Sequence, residues 1–430
     1  MKNKNTYVLE QLLRMEEEGR YIALSLSAVP REHRGYVTAM LYGITEHKIT
    51  LDYYIGVLAQ RSEMDATTRH LLRIGLYQLL YMDHIPPHAV VNQTVALARN
   101  KGEAGFVNAI LRTALREPQK CTLPPREKNP RRYLSIAYSV PLALVRELVS
   151  SLGEAQTEDF LRASAEKAPL CIRVNTLKTT REAWLTQCKE AGISARPTTF
   201  AQNGVLIDQN IPVPTLPGFD EGLFYVQDEA AQLAVEILSP TAGSFLIDTC
   251  AAPGGISFAA SLLMEGKGQV VSMDIHTSKK SLISDGAQRL KLENISPITH
   301  DSQMPKAEFV GKADYVICDV PCSGVGVLRK KPEIRYKDVS EWANLPALQQ
   351  SILSASSTYL KPSGKLLYAT CTIRPQENRE VVKAFLASHP DFSLLPFSFG
   401  GISSADGMLT FTPQEHGTDG FFVALLCRKS

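Results

Sequence analysis

A chain of 430 residues exceeds what one hydrophobic core ordinarily organises, so two or three domains are expected. Its 44% hydrophobic and 21% charged residues exclude a disordered polymer, and no apolar run approaches the span of a bilayer. The net charge of +2 is too small to announce nucleic-acid binding, but residues 1–220 carry 27 Lys/Arg against 22 Asp/Glu and residues 221–430 carry 19 against 22, which permits a basic, RNA-docking front end. The start, Met1-Lys2-Asn3-Lys4-Asn5, lacks the apolar core of a secretory signal. Eight scattered cysteines without a CxxC pair argue against a disulfide framework or a zinc site. The expectation is a cytoplasmic monomer with neither membrane contact nor metal.

Residues 7–120 read as helical throughout. Tyr7-Val8, Leu12-Leu13 and Met15 recur at helical spacing, as do Val37, Met40-Leu41 and Ile44, and then Leu51, Tyr54-Ile55 and Leu58. The stretch Leu71 to Tyr81 is apolar nearly all round, which predicts a buried central helix ended by Pro86-Pro87. Helices over 88–99 and 105–112 complete the bundle. Nothing in it looks catalytic; a satisfied helical core is the plain reading. The wording Leu41-Tyr42-Gly43, Leu76-Tyr77-Gln78-Leu79, Ile85-Pro86-Pro87-His88-Ala89-Val90-Val91-Asn92 and Phe106-Val107-Asn108-Ala109-Ile110-Leu111-Arg112 resembles the RNA-binding domain of the NusB antitermination family. The resemblance covers about the first quarter of the chain and implies contact with RNA. Arg31, Arg34, Arg112 and Arg116 are candidate contacts.

Residues 118–132 read as a proline-stiffened, basic linker. Helices over 141–152 and 157–168, a strand Leu170 to Asn175, a helix over 180–191 and a strand Gly204 to Ile207 suit a small α+β module. Ile172-Arg173-Val174-Asn175-Thr176-Leu177-Lys178 resembles a phrase that precedes the catalytic domain in RNA cytosine-5 methyltransferases. Arg173 is a candidate phosphate contact, or an ordinary surface arginine.

From 221 onward strands alternate with helices. Strands begin near Phe245, Val270, Ile295, Tyr315, Leu366 and Phe421; helices fill 229–238, 256–264, 278–290, 339–359 and 377–387. Repeated βα units predict a parallel sheet with helices on both faces. The expected divisions are a helical RNA-binding domain over 1–125, a linker and small α+β subdomain over 126–220, and an α/β Rossmann-like domain of the class I methyltransferase type over 221–430.

Two strand ends in this last domain carry the chemistry. Phe245-Leu246-Ile247-Asp248 runs into Thr249-Cys250-Ala251-Ala252-Pro253-Gly254-Gly255 and then a helix. Small residues and paired glycines admit close approach of a ligand, and a helix start offers free N–H groups. The run is neither a dinucleotide fingerprint nor a phosphate cradle. Asp274, ending the second strand, suits ribose hydroxyls; Asp301, after the third, suits an adenine amino group. A nucleoside cofactor fits, and S-adenosyl-L-methionine is favoured over a dinucleotide. The candidate cofactor residues are Cys250, Ala251, Ala252, Pro253, Gly254, Gly255, Ile256, Asp274, Asp301 and Asp319. The other strand end is Asp314-Tyr315-Val316-Ile317-Cys318-Asp319, followed by Val320-Pro321-Cys322-Ser323-Gly324. A second thiol, Cys371, closes the run Gly364 to Thr370. An acid with two thiols at strand ends suits covalent chemistry on a pyrimidine, and spacing alone does not choose the nucleophile. In the run Leu328 to Lys337, five bases stand against one acid, so Arg329, Lys330 and Lys331 are candidate phosphate contacts.

The cofactor loop, the Asp319 to Gly324 motif and Tyr368-Ala369-Thr370-Cys371-Thr372 together resemble the RNA 5-methylcytosine methyltransferases. Tyr225-Val226-Gln227-Asp228-Glu229 and Asp419-Gly420-Phe421-Phe422 match as well. With the NusB-like front end, the whole chain resembles the RsmB/Sun/Fmu branch, which methylates small-subunit ribosomal RNA. The resemblance implies Cys371 as the nucleophile, Cys322 as the group assisting product release, and Asp319 as the acid at the base. Two departures stand out. Ile256 occupies the place of a family lysine thought to lie near the target base, and Glu377-Asn378-Arg379 replaces the more usual Glu-Asn-Glu. Two alternatives stay open here: an RNA-binding or assembly factor with a slow or inactive methyltransferase fold, and a tRNA cytosine-5 methyltransferase.

Overall fold

A computed structural model describes residues 3–19, 21–60 and 63–430. Met1 and Lys2, part of the amino-terminal reading above, lie outside it. Contacts divide the chain into two compact units, Met1–Ala165 with Lys331–Lys337, and Glu166–Lys330 with Asp338–Ser430. By contacts, the helices Pro130–Ala137, Leu142–Leu152 and Glu154–Ala165 group with the bundle, so the first compact unit extends past 125 to Ala165. The expected linker is short 3-10 turns at Pro118–Lys120 and Arg126–Lys128, after which Pro130 opens a helix at the position where its missing N–H costs nothing.

In the first unit the helices run Lys4–Glu18, Ile22–Ser25, Arg31–Glu46, Lys48–Ala59, Ala66–Tyr81, Pro87–Val95 and Lys101–Arg116 before those three. The central helix is Ala66–Tyr81, opened by Asp65 accepting from the Thr68 N–H at 3.2 Å. Leu71, Leu72, Ile74 and Leu76 are fully buried in the bundle core with Val37, Leu41, Leu51, Val107 and Leu111. The segment Lys331–Lys337 is built into this unit. Arg335 is buried and donates to the carbonyls of Glu46 (3.1 Å), Tyr138 (3.3 Å) and Ser164 (3.3 Å), so it tethers backbone instead of facing solvent.

The second unit holds three sheets. A small antiparallel sheet has the order β2-β3-β1-β4, from β1 (Leu170–Val174), β2 (Ala195–Pro197), β3 (Gly204–Ile207) and β4 (Phe224–Val226). The helix Arg181–Glu190 buries Trp184 and Cys188 against it. The large sheet runs β10-β14-β9-β8-β5-β6-β7, with β13 also paired to β14. Its members are β5 (Phe245–Asp248), β6 (Gln269–Asp274), β7 (Ile295–Thr299), β8 (Ala313–Asp319), β9 (Leu360–Thr370), β10 (Phe392–Leu394), β13 (Met408–Phe411) and β14 (Phe421–Arg428). A two-stranded ribbon pairs β11 (Phe397–Phe399) with β12 (Ile402–Ser404).

The large sheet is mixed, not parallel as expected. Strands β5 to β9 are parallel, whereas β14 is antiparallel to β9, and β10 and β13 are antiparallel to β14. An antiparallel edge on a parallel sheet needs no crossover helix, so the βα rhythm stops before it. Side-chain alternation splits the strands between two cores. Leu246, Val270, Ile317 and Leu367 face one, with the helices Glu229–Leu238, Gly255–Leu263 and Thr277–Leu290. Ile247, Val271, Val316 and Leu366 face the other, with Leu345–Ser357 and Arg379–Ser388. The order reverses between β5 and β8, and the carboxyl ends there form the crevice where open α/β sheets bind ligands.

Candidate active site

Asp248, Asp274 and Asp319 end β5, β6 and β8, so all three carboxylates lie along one sheet edge. Strands β8 and β9 are parallel neighbours with Asp319 opposite Ala369. The Val320 N–H continues the ladder by donating to the Ala369 carbonyl at 3.1 Å. Cys322 therefore leaves β8 beside Cys371 leaving β9, and the two Sγ atoms lie 3.1 Å apart, both partly exposed. Two thiols distant in sequence share one place, as the strand-end reading required.

The proximity has electrostatic consequences. The neighbouring Cys371 sulfur, and then burial, hold the Cys322 thiol well above its ordinary pKa. Burial alone lifts the Asp319 carboxyl to about 7, and among the described residues none donates a hydrogen bond to it. A carboxyl so placed is available as a proton or hydrogen-bond donor near neutrality.

The loop after β5 is stitched across the sheet edge. The Thr249 N–H donates to the Ile317 carbonyl (2.9 Å) and the Ala251 N–H to the Met273 carbonyl (2.7 Å). Gly254 has φ +113°, where a Cβ would lie 2.4 Å from the Phe258 ring, so glycine is required there. The helix Gly255–Leu263 starts directly after it. The Gly255 carbonyl accepts from the Tyr225 hydroxyl (3.2 Å) and from Gln227 Nε2 (3.1 Å). Asp248 accepts from the Ser257 hydroxyl at 2.6 Å, while its Oδ1 is buried without a partner. Burial foremost, with the Asp319 charge assisting, raises Asp248 to about 7. Asp274 is half-buried and caps the next turn through the His276 N–H at 2.9 Å. Asp301 is exposed and accepts from the Gln303 N–H at 3.0 Å. A glycine cradle, an orphaned buried carboxylate oxygen and acids at successive strand ends form a donor set that fits S-adenosyl-L-methionine. Cys250 to Gly255, Asp274 and Asp301 would hold it.

Other assignments change. The Ile256 side chain is only 7% exposed and packs in the core with Ala251, Phe258 and Tyr225, so it brings neither charge nor a hydrogen-bonding group to the loop. Arg173 is fully buried and pairs with Glu236 at 3.1 Å, because its strand turns that side chain toward the helix Glu229–Leu238. It is not a phosphate contact. Arg329 pairs with Asp419 (2.6 Å), and Lys330 with Asp228 (2.6 Å) and Asp419 (2.7 Å). Those two cations are consumed by a largely buried network, so the run does not grip phosphate through them. Lys331 is exposed and, among the described residues, has no ion pair. Sequence reasoning missed Tyr225, Gln227 and Ser257 as supports of the loop. The motif containing Tyr225 and Gln227 carried the only signal, and it gave no role.

Known proteins resemble this chain over nearly its whole length. The family described as 16S rRNA methyltransferase RsmB/F matches residues 235–427. The NusB family matches 2–116, and the ferredoxin-like domain of Methyltr_RsmF/B-like proteins matches 140–214. The "Probable ribosomal RNA small subunit methyltransferase B" of Bacillus subtilis is 33% identical over 98% of each chain. The ribosomal RNA small subunit methyltransferase B of Vibrio cholerae is 37% identical over 89% of this chain and 90% of that one. The crystal structure of PH0851 superposes with a TM-score of 0.81 at 25% identity, covering 99% of both chains. With the paired thiols, the strand-end acids and the glycine cradle in place, this chain belongs to the RsmB/F family of 16S rRNA methyltransferases.

Proposed function

We propose that the protein transfers a methyl group from S-adenosyl-L-methionine to carbon-5 of a cytosine in small-subunit ribosomal RNA, through a covalent cysteine adduct. The observation that carries the reading is the 3.1 Å approach of Cys322 and Cys371 beside an Asp319 poised near neutrality. Similarity to proteins called ribosomal RNA small subunit methyltransferase B supports the substrate class.

Carbon-5 of cytosine is a poor nucleophile. The base must leave its stack to reach the crevice. The Cys371 thiolate adds to carbon-6, forming an Sγ–C6 bond, and electron density moves toward carbon-5 and ring nitrogen-3. Asp319 donates its proton or a hydrogen bond to that nitrogen as charge builds. When bound, S-adenosyl-L-methionine would supply the electrophilic methyl group for carbon-5, its S–CH3 bond breaking to leave the neutral thioether. Loss of the carbon-5 proton to solvent water, with return of any nitrogen-3 proton to Asp319, then breaks the Sγ–C6 bond and restores the ring. Cys322, kept as the thiol by its raised pKa and 3.1 Å from the Cys371 sulfur, suits assisting that release by donating a hydrogen bond to the departing sulfur.

A second reading, an RNA-binding factor without turnover, draws on Ile256, which offers no charge at the site. Transfer of tritiated methyl groups to unmethylated small-subunit rRNA separates the two. Label in that RNA, lost in Cys371→Ala, is expected. Cys322→Ala is expected to accumulate an RNA–protein adduct and Cys371→Ala is not. The reverse pattern exchanges the two roles. Label confined to tRNA, or none with wild-type protein, overturns the proposal.

A further inference from the structure

Cys322 and Cys371 sit on irregular loops, so something other than a ladder must hold their separation. On the first loop, the Pro321 carbonyl accepts from Gln349 Nε2 at 3.0 Å. The Ser323 N–H donates to Glu377 Oε2 at 2.8 Å, and Gln349 Nε2 donates to the same oxygen at 2.9 Å. Both sequence neighbours of Cys322 are thereby fixed. On the second loop, the Thr370 hydroxyl donates to Asn378 Oδ1 at 2.6 Å, and Asn378 Nδ2 donates to the Thr372 carbonyl at 2.9 Å. Both neighbours of Cys371 are fixed as well. A contact of 2.9 Å between the Ser323 and Thr372 hydroxyls joins the loops.

The two anchors are adjacent in sequence. Glu377 is fully buried and Asn378 is 2% exposed. Glu377 is itself held: its Oε1 accepts from Arg374 Nη1 at 2.6 Å, and its carbonyl accepts from the Tyr368 hydroxyl at 2.6 Å. A buried carboxylate taking a backbone N–H makes one of the stronger hydrogen bonds available to a protein. One peptide unit thus reaches both thiol loops.

We propose that Glu377 and Asn378 are positioning residues that set the spacing of the two thiols, Glu377 through the Cys322 loop and Asn378 through the Cys371 loop. The inference rests on the two-thiol reading above for its catalytic meaning, but not for its geometry. One thiol must act on an adduct made by the other, so registration between the loops matters as much as order within each.

The test uses the full chain with Glu377→Gln and Asn378→Asp. Gln cannot accept at both of its terminal atoms, and Asp cannot donate to the Thr372 carbonyl. The first readout needs no RNA. Diamide takes the two thiol hydrogens and becomes the hydrazine, while one S–S bond forms between Cys322 and Cys371. Peptide mass mapping follows that bond. Loosening the loops lowers the effective concentration of one thiol at the other, so each variant is expected to form it about tenfold more slowly than wild type. An unchanged or faster rate overturns the inference. The second readout is adduct trapping with RNA. Glu377→Gln is expected to follow Cys322→Ala, and Asn378→Asp to follow Cys371→Ala, whichever parent accumulates adduct. Equal behaviour of the two variants overturns the division of labour. Slow disulfide formation with no adduct in any protein leaves the spacing role standing and sinks the covalent reading instead. Thr370→Val and Gln349→Met each remove part of the same anchoring and carry the same expectation should the first pair fail to fold.

Discussion

Asp319→Asn is expected to stabilise the protein while abolishing most of its activity. Burial raises this carboxyl from 3.8 to about 7. A displacement of that size corresponds to roughly 4 kcal/mol, and partial solvent access at the strand end reduces it to about 2–3 kcal/mol. Because the folded pKa exceeds the unfolded one, the folded protein holds this proton more tightly. The associated stability is complete below pH 3.8 and is lost as pH rises to about 7. Asparagine has no charge to bury, so the variant escapes the loss. Asp248, raised partly by the Asp319 charge, relaxes in the same direction. Thermal unfolding of full-length wild type and variant at pH 4.5 and pH 8 measures the difference. At pH 8 the variant is expected to melt roughly 5–10 °C higher, at 2–4 °C per kcal/mol for a domain of this size. At pH 4.5 the gap should nearly close. An equal gap at both pH values, or a less stable variant at pH 8, refutes the assignment of Asp319 as a desolvated acid. Stability gained at the expense of function is the expected signature of a site residue.

Other perturbations test other parts. The kcat/KM of wild type should fall at high pH with a midpoint near 7 as Asp319 ionises, and a pH-rate profile flat through that range counts against Asp319 as donor. Arg173→Met leaves Glu236 buried and uncompensated, at a cost of about 3–5 kcal/mol, most of it recovered by adding Glu236→Leu; denaturant melts of single and double variants check this. A Cβ on Gly326 would lie 1.9 Å from the Gly420 carbonyl oxygen and 2.8 Å from that of Cys371, so Gly326→Ala should cost about 1–3 kcal/mol and reduce turnover about a hundredfold, read by melting and methyl transfer. Lys331→Ala should lower the salt dependence of RNA binding by about one counterion, whereas Lys330→Ala should instead reduce thermal stability by leaving Asp228 and Asp419 to share Arg329 alone.

Much of the fold was legible because its signals are local. Helix Glu229–Leu238 has both ends where the apolar period and Asp228 put them. The strands β5 to β8 are short apolar runs, each ending where an acid or a small residue stops it. Strands β10 to β13 were not legible, since each is three or four residues long, among Pro, Gly and Ser, and exists only through partners elsewhere. At the site, the thiol pair and the acids announced themselves by type and place. The basic run misled because charge in a sequence does not reveal its partner. Asp228 and Asp419 lie 102 and 89 residues from Lys330 and neutralise it. Arg173 misled for the same reason, its partner Glu236 being on a helix beyond three further strands. Glu377 and Asn378 stood out only as the matching part of a pattern that departs at Arg379, and their role was not visible, because hydrogen bonds to backbone leave no trace in composition.

The buried Arg173–Glu236 pair bears on how the protein can be dissected. A cut at residue 220 looks natural from the alternation of elements. It would also sever the Asn175 side-chain bonds to the Gly222 and Leu290 carbonyls and strip the Glu236 carboxylate of its Arg173 counterion and of the strand that carries it. Recombinant fragments beginning there should be recovered as aggregates, whereas fragments that retain β1 should remain in solution and keep the catalytic half intact.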